Sequence, residues 1–288
     1  MSDEHTNPPS PTPPSSGLSL VHRGVGDLVG RAEAERLFEE GLGHWDRQQY
    51  SEAVRLFAQS LRRNPNHAEA QFYIGLAYYE GAGLPDKDYR QAAISWRKAA
   101  LQGNPEAQNN LARAYEQGHG WPKDDERAVF WFTRAAENGD PTAQFNLAVM
   151  YELGRGVPAD LEMSAIWYEK SAEQGFAPAQ SNLGNMFRLG RGAPQDYMRA
   201  AFWYRKAGEQ NYPVAEFNLA VMYELGQGVT ASLSHAAYWY HRAAEHGEES
   251  ARQCLVDVLR KMEASERNTA ESTGCPSSET IAPRQNLR

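Results

Sequence analysis

At 288 residues with 41% hydrophobic side chains, 7 Trp and 14 Tyr among them, the chain carries enough apolar surface for a continuous core, which excludes disorder of the whole. A net charge of −8 argues against nucleic-acid binding and against docking on an anionic membrane, since both need a basic footprint. The two cysteines, Cys254 and Cys275, rule out a disulfide framework, and no apolar run approaches the roughly 18 residues of a membrane span. The N-terminus MSDEHTNPPSPTPPSSG has neither the basic start nor the apolar segment of a signal peptide, so a cytoplasmic protein is expected.

Residues 1–30 are Pro/Ser-rich and then punctuated by Gly, with too little apolar surface to offset ordering entropy, and are expected to form a disordered tail. PSPTPP within it could present a polyproline II ligand, although a solubilising spacer is the plainer reading. Leu18, Leu20, Val21, Val25, Leu28 and Val29 make a weak apolar patch that could dock on the first helix. Residues 31–67 follow, with Leu37, Gly41, Tyr50, Ala53, Phe57, Ser60 and Pro65 at spacings that resemble one ordinary 34-residue tetratricopeptide unit.

From residue 68 the chain repeats itself. The copies are 68–104, 105–140, 141–176, 177–212 and 213–248, and those beginning at Pro105, Pro141, Ala177 and Pro213 start 36 residues apart. A fixed period of about 20–50 residues is the signature of stacked repeats. The first copy is one residue longer, an insertion placed in the loop around Leu84–Lys87. In the copy at Pro141, Ala143, Leu147, Ala148, Met150 and Tyr151 share one helix face, and Ser164, Trp167, Tyr168, Ser171 and Ala172 share a face of a second helix. Asn104-Pro105 and Asp140-Pro141 set a cap before a first-turn proline. The pairs Gly118/Gly120, Gly154/Gly156, Gly190/Gly192 and Gly226/Gly228 are read as closing the first helix. Asp88, Asp124, Asp160, Asp196 and Ser232 are read as caps of the second. Residues 249–263 carry one apolar stripe, Ala251, Leu255, Val258, Leu259 and Met262, as a terminal capping helix requires, and 264–288 are expected to be a disordered tail.

The run A-x-x-x-L-A/G-x-M-Y-x-x-G-x-G-V, then D, then A-x-x-W-Y-x-K-A-A-x-x-G, resembles the Sel-1-like repeat, a subclass of the tetratricopeptide repeats. The resemblance covers roughly residues 68–263 and implies an all-α, right-handed α-α superhelical solenoid of helix-turn-helix repeats with a C-terminal capping helix. It also implies an adaptor scaffold, without naming what it binds.

No catalytic constellation stands out. The G-x-G pairs follow helices rather than a strand and lack a P-loop lysine. His241 and His246 are five apart with Glu245 between, which is not a zinc-binding spacing, so neither metal nor cofactor is expected. Cys254 reads as a small apolar residue, and Trp131-Phe132, Trp167-Tyr168, Trp203-Tyr204 and Trp239-Tyr240 read as core.

One row remains. Asn110, Asn146, Asn182 and Asn218 hold the same first-helix position in four successive repeats. The resemblance implies that first helices line the concave surface, where carboxamides can pair bidentately with an extended backbone. Phe145 and Phe217 stand beside the row as candidate side-chain pockets, with Arg113, Asn185 and Arg188 as polar selectors. Glu116, Glu152 and Glu224 would make the groove's edge acidic and favour a basic or neutral guest. The competing reading has the asparagines bonding to neighbouring helices or loops, as buried polar groups must. The function expected is therefore a non-enzymatic scaffold for a protein or peptide partner, monomeric or weakly homo-oligomeric. The alternatives are a hydrolase like cysteine-rich relatives, or an assembly factor.

Overall fold

The computed structural model describes residues 17–272, and the side chains of 28–266. Residues 1–16 of the expected 1–30 tail, residues 273–288 of the expected 264–288 tail, PSPTPP, Cys275 and the side chains of Leu18, Leu20, Val21 and Val25 lie outside the described residues. Thirteen α-helices and no strands are found among them. They form two units, one ending at Lys123 and one beginning at Asp124.

The first unit holds α1 (Gly17–Asp46), α2 (Tyr50–Arg63), α3 (Ala68–Glu80), α4 (Tyr89–Leu101) and α5 (Pro105–Gln117). Helix α1 starts at Gly17, inside the stretch expected as tail. No proline interrupts the chain after Pro14 until Pro65, and once a helix is anchored by packing each added residue completes a hydrogen bond at little cost. Leu28 and Val29 are exposed rather than docked. Phe38, Phe57, Trp45 and Tyr73 pack as an aromatic cluster with ring centroids 5.3–6.1 Å apart.

The second unit holds α6 (Asp125–Glu137), α7 (Pro141–Leu153), α8 (Leu161–Glu173), α9 (Ala177–Leu189), α10 (Tyr197–Gly208), α11 (Pro213–Leu225), α12 (Leu233–Glu245) and α13 (Glu249–Ser272). Consecutive helices pack on one another, giving in each unit the α-solenoid arrangement of stacked hairpins. Helix α13 runs nine residues past Glu263, where the capping helix was expected to stop.

Local chemistry fixes these boundaries. Carboxylates of Asp88, Asp124, Asp160 and Asp196 accept from the backbone N–H three residues on at 2.9–3.0 Å, and the Ser232 hydroxyl does so at 3.3 Å. Gly154, Gly190 and Gly226 end first helices in the left-handed region. The second glycine of each pair does something else. A Cβ on Gly192 (φ +71°) would sit 2.1 Å from the Leu161 carbonyl oxygen, and one on Gly156 would sit 2.2 Å from that of Asp125. These glycines let the loop of one repeat rest on the backbone that starts the second helix of the repeat before.

The core is alanine at the helix crossings and aromatic between them: Phe132, Tyr168, Tyr204 and Tyr240 are buried, as are Trp131, Trp167 and Trp239. Trp203 is only half-buried. A buried amide relay runs beside the aromatics. Gln144 and Gln180 donate to the Ala136 and Ala172 carbonyls at 3.1 and 3.0 Å and accept from Gln174 and Gln210 at 2.8 and 2.9 Å. In the last repeat the same two positions are Glu216 and His246. The Glu216 carboxylate is fully buried, 2.7 Å from His246 Nδ1 and 3.0 Å from Arg242 Nη2. An amide pair has there become an ionisable cluster.

Candidate functional site

In the second unit α7, α9 and α11 carry Asn146, Asn182 and Asn218 at equivalent, half-exposed positions. Residues three and seven further on share their helix face. The face therefore has three rows: the asparagines, then Val149, Asn185 and Val221, then Leu153, Leu189 and Leu225. The leucines are 60%, 49% and 60% exposed, an unusual display of large apolar side chains in register. Sequence reading missed them. Their seven-residue offset from the asparagines was available, but the Leu-Gly ending of each first helix looked only like a stop signal.

The asparagines are not equivalent in bonding. Asn182 Nδ2 donates to the Tyr168 hydroxyl at 3.0 Å, and that hydroxyl donates to Glu152 at 2.9 Å. One repeat further, the Tyr204 hydroxyl donates to Asn185 Oδ1 at 2.7 Å and accepts from Arg188 Nε at 3.2 Å. Asn146 also has a partner, whereas Asn218 makes no side-chain hydrogen bond among the described residues. On α13 the equivalent position is Cys254, whose thiol is raised above its ordinary range by burial, with Glu224 adding to the effect. Burial likewise raises the hydroxyls of Tyr168, Tyr204 and Tyr240, which stay neutral donors.

The acidic edge expected from Glu152 and Glu224 is largely neutralised. Glu152 lies 3.4 Å from Arg191, and Glu224 accepts from Lys261 of α13 at 2.6 Å and from Tyr240 at 2.9 Å. Burial raises the Glu224 carboxyl, but the Lys261 and Tyr240 hydrogen bonds outweigh it and hold the group below its ordinary value of 4.5. Arg188 has no carboxylate partner among the described residues. Glu152, Asn182, Asn185, Met186, Leu189 and Arg191 line a cavity of about 260 Å³. The local field at its centre is thus set by amides and guanidinium groups rather than by free carboxylates.

Phe145 packs on Tyr168 and Phe176, with ring centroids 5.6 and 5.4 Å away, and Phe217 packs on Tyr240 at 5.4 Å. Both are half-buried walls of the face rather than open pockets. Asn110 and Arg113 belong to α5 of the first unit, where with Leu76, Tyr79, Glu80 and Trp96 they line a cavity of about 100 Å³. His241 faces Glu245 at 3.5 Å, apart from the His246–Glu216 contact. No three His, Cys, Asp or Glu side chains converge among the described residues, and no helix of these is long and apolar enough to cross a membrane.

The Sel1 repeat model matches residues 68–104, 105–140, 141–176, 177–212 and 213–248. The chain belongs to the Sel1 repeat family. Among solved structures it is similar to c5321, a protective antigen present in uropathogenic Escherichia coli strains and displaying this repeat fold. That match has 31% identity and a TM-score of 0.76 over 87% of this chain, which spans 53% of the antigen's length. A Sel1 repeat protein from Oxalobacter formigenes is 33% identical, with a TM-score of 0.69 over 74% of this chain and 86% of that one. The Cut9-Hcn1 assembly of the APC/C shares the fold at 16% identity and a TM-score of 0.53, covering 84% of this chain and 45% of that one. No curated protein matches.

Proposed function

We propose that this Sel1 repeat protein is a non-enzymatic interaction scaffold that holds a segment of a partner protein against the face formed by α7, α9 and α11. The observation that carries the reading is the exposed row Leu153, Leu189 and Leu225 beside Asn218 and Asn185. Apolar anchors supply affinity and the carboxamides fix orientation, since each hydrogen bond contributes only about 1 kcal/mol net. Asn146 and Asn182 act mainly by positioning, being already engaged within the protein. Arg188 and Asn185 supply the polar selection within this unit, while Asn110 and Arg113 line a separate cavity of the first unit.

Because Glu152 and Glu224 are paired and Arg188 is not, the guest is neutral or acidic at the centre of the face and apolar at its flanks. Two cysteines in the whole chain support a reducing, cytoplasmic setting. Selection of displayed random peptides on the immobilised full chain tests the reading. Peptides with apolar anchors that no longer bind a Leu189→Asp variant support it. Peptides that bind wild type and variant equally contradict it.

A further inference from the structure

Trp167, Trp203 and Trp239 hold one repeat position on α8, α10 and α12, and the cations three residues on, Lys170, Lys206 and Arg242, hold another. In two of these three repeats the cation closes over the indole. Lys170 Nζ stands 4.0 Å from the Trp167 ring centroid and the Arg242 guanidinium carbon 5.0 Å from that of Trp239. Both tryptophans are buried. Lys206 lies instead over Phe202, at 5.8 Å, and Trp203 is left half-buried. The residue four before each cation accounts for the difference. Ile166 offers Lys170 no π face, whereas Phe202 offers one to Lys206. Arg242 has Tyr238 at 5.9 Å but is drawn inward by the Glu216 carboxylate.

The result is an open cavity of about 470 Å³ at the C-terminal ends of α8 and α10. Phe202, Trp203, Lys206 and Glu209 line it from one side, Glu173 and Gly175 from the other. Neither glutamate has an ion-pair partner among the described residues, nor does Lys206, so two carboxylates stand against one ammonium group. One repeat on, the equivalent groove is filled by the chain itself. There Arg242, lying over Trp239, donates to the Gly208 carbonyl at 3.2 Å and to Asn211 Oδ1. Gly175 stands where Asn211 stands, and a Cβ on it would meet nothing within 4 Å, so the space beside Trp203 stays open.

We propose that this groove seats an arginine side chain of a partner protein, with its guanidinium group over the Trp203 indole and its N–H groups donating to Glu173 and Glu209. The Arg242–Trp239 arrangement is the pattern: a guanidinium over the indole of one second helix, bonded to acceptors at the end of the second helix before it. Charge agrees, because one added cation brings the cavity to neutrality. Guanidinium suits the site better than ammonium. It is planar, lies flat on an aromatic face, is weakly hydrated and forks to two carboxylates. Phe202, 51% exposed, offers contact to an apolar side chain next to the arginine. The proposal does not depend on what the first-helix face binds.

The indole N–H resonances of the isotope-labelled full chain test it, with that of Trp203 assigned from a Trp203→Phe variant. An acetylated, amidated peptide carrying one arginine beside one leucine is expected to shift the Trp203 resonance saturably and to leave those of Trp167 and Trp239 in place. The same peptide with citrulline for arginine, similar in shape but uncharged, should cause no shift. Glu173→Gln combined with Glu209→Gln should weaken binding about tenfold or more at an unchanged melting temperature. Lys206→Met should tighten it, since a like charge leaves the groove. The proposal is overturned by a Trp203 resonance that does not move at millimolar peptide, or by a citrulline peptide that binds as well. Unchanged affinity in the glutamine variant, or weaker binding by Lys206→Met, overturns it too.

Discussion

The side-chain amide of Asn182 donates to the Tyr168 hydroxyl at 3.0 Å, joining the first helix of one repeat to the second helix of the repeat before it. This bond divides the asparagine row into members that hold the stack together and members that face outward unbonded. Asn182→Ala should cost about 1 kcal/mol in urea unfolding, the value of one lost hydrogen bond, whereas Asn218→Ala should change stability by less than about 0.5 kcal/mol. Equal costs at both positions would mean that the two asparagines play the same part.

The Glu216 carboxylate, fully buried against Arg242 and His246, makes a sharper demand. Arg242→Met strips away a cation and leaves a buried charge behind, so thermal or denaturant unfolding should register a loss of about 3–5 kcal/mol. Adding Glu216→Gln should recover most of it, because an amide at this position already serves in the repeats of Gln144 and Gln180. Failure of the second substitution to rescue the first would show that Arg242 acts through its packing on Trp239 instead.

Helix α13 is tied to α11 by the Lys261–Glu224 contact. The Glu224 carboxyl is lowered in the folded state, so its contribution is fully present above its ordinary value of 4.5 and is lost as pH falls through the lower folded value. A Lys261→Met variant should melt below wild type at neutral pH, and the difference should shrink in acid. A gap independent of pH would remove the charge from the explanation.

Gly192 and Gly175 both hold positive φ, but only Gly192 meets backbone where a Cβ would stand. Gly175→Ala should cost about 1–2 kcal/mol for its left-handed backbone alone. Gly192→Ala should cost more, since the Leu161 carbonyl cannot yield without moving α8. Comparable losses would show that the loop relaxes freely.

The fold was legible because each local signal recurs every 36 residues: an Asp that caps, a glycine that stops, alanines where helices cross and aromatics between them. Repetition also located the asparagine row. It could not say that the Tyr168 and Tyr204 hydroxyls reach into that row, because the bonding partners lie 14 and 19 residues away and depend on packing. The same holds for Glu152 and Glu224, whose counter-ions Arg191 and Lys261 come from neighbouring elements, so an edge that reads as acidic is mostly neutral. The α1 boundary failed for a different reason. Glycine and serine content pointed to a tail, while continuity with a packed helix carried the structure back to Gly17.

The central claim is that the leucine-edged face of α7, α9 and α11 holds a partner protein. It is tested most directly by quantitative affinity capture with the full wild-type chain beside a folded Leu189→Asp/Leu225→Asp variant, from the same native lysate. The account predicts at least one protein enriched by wild type and lost by the variant, while both baits melt at nearly the same temperature. The same proteins recovered in equal amounts by both baits would contradict it.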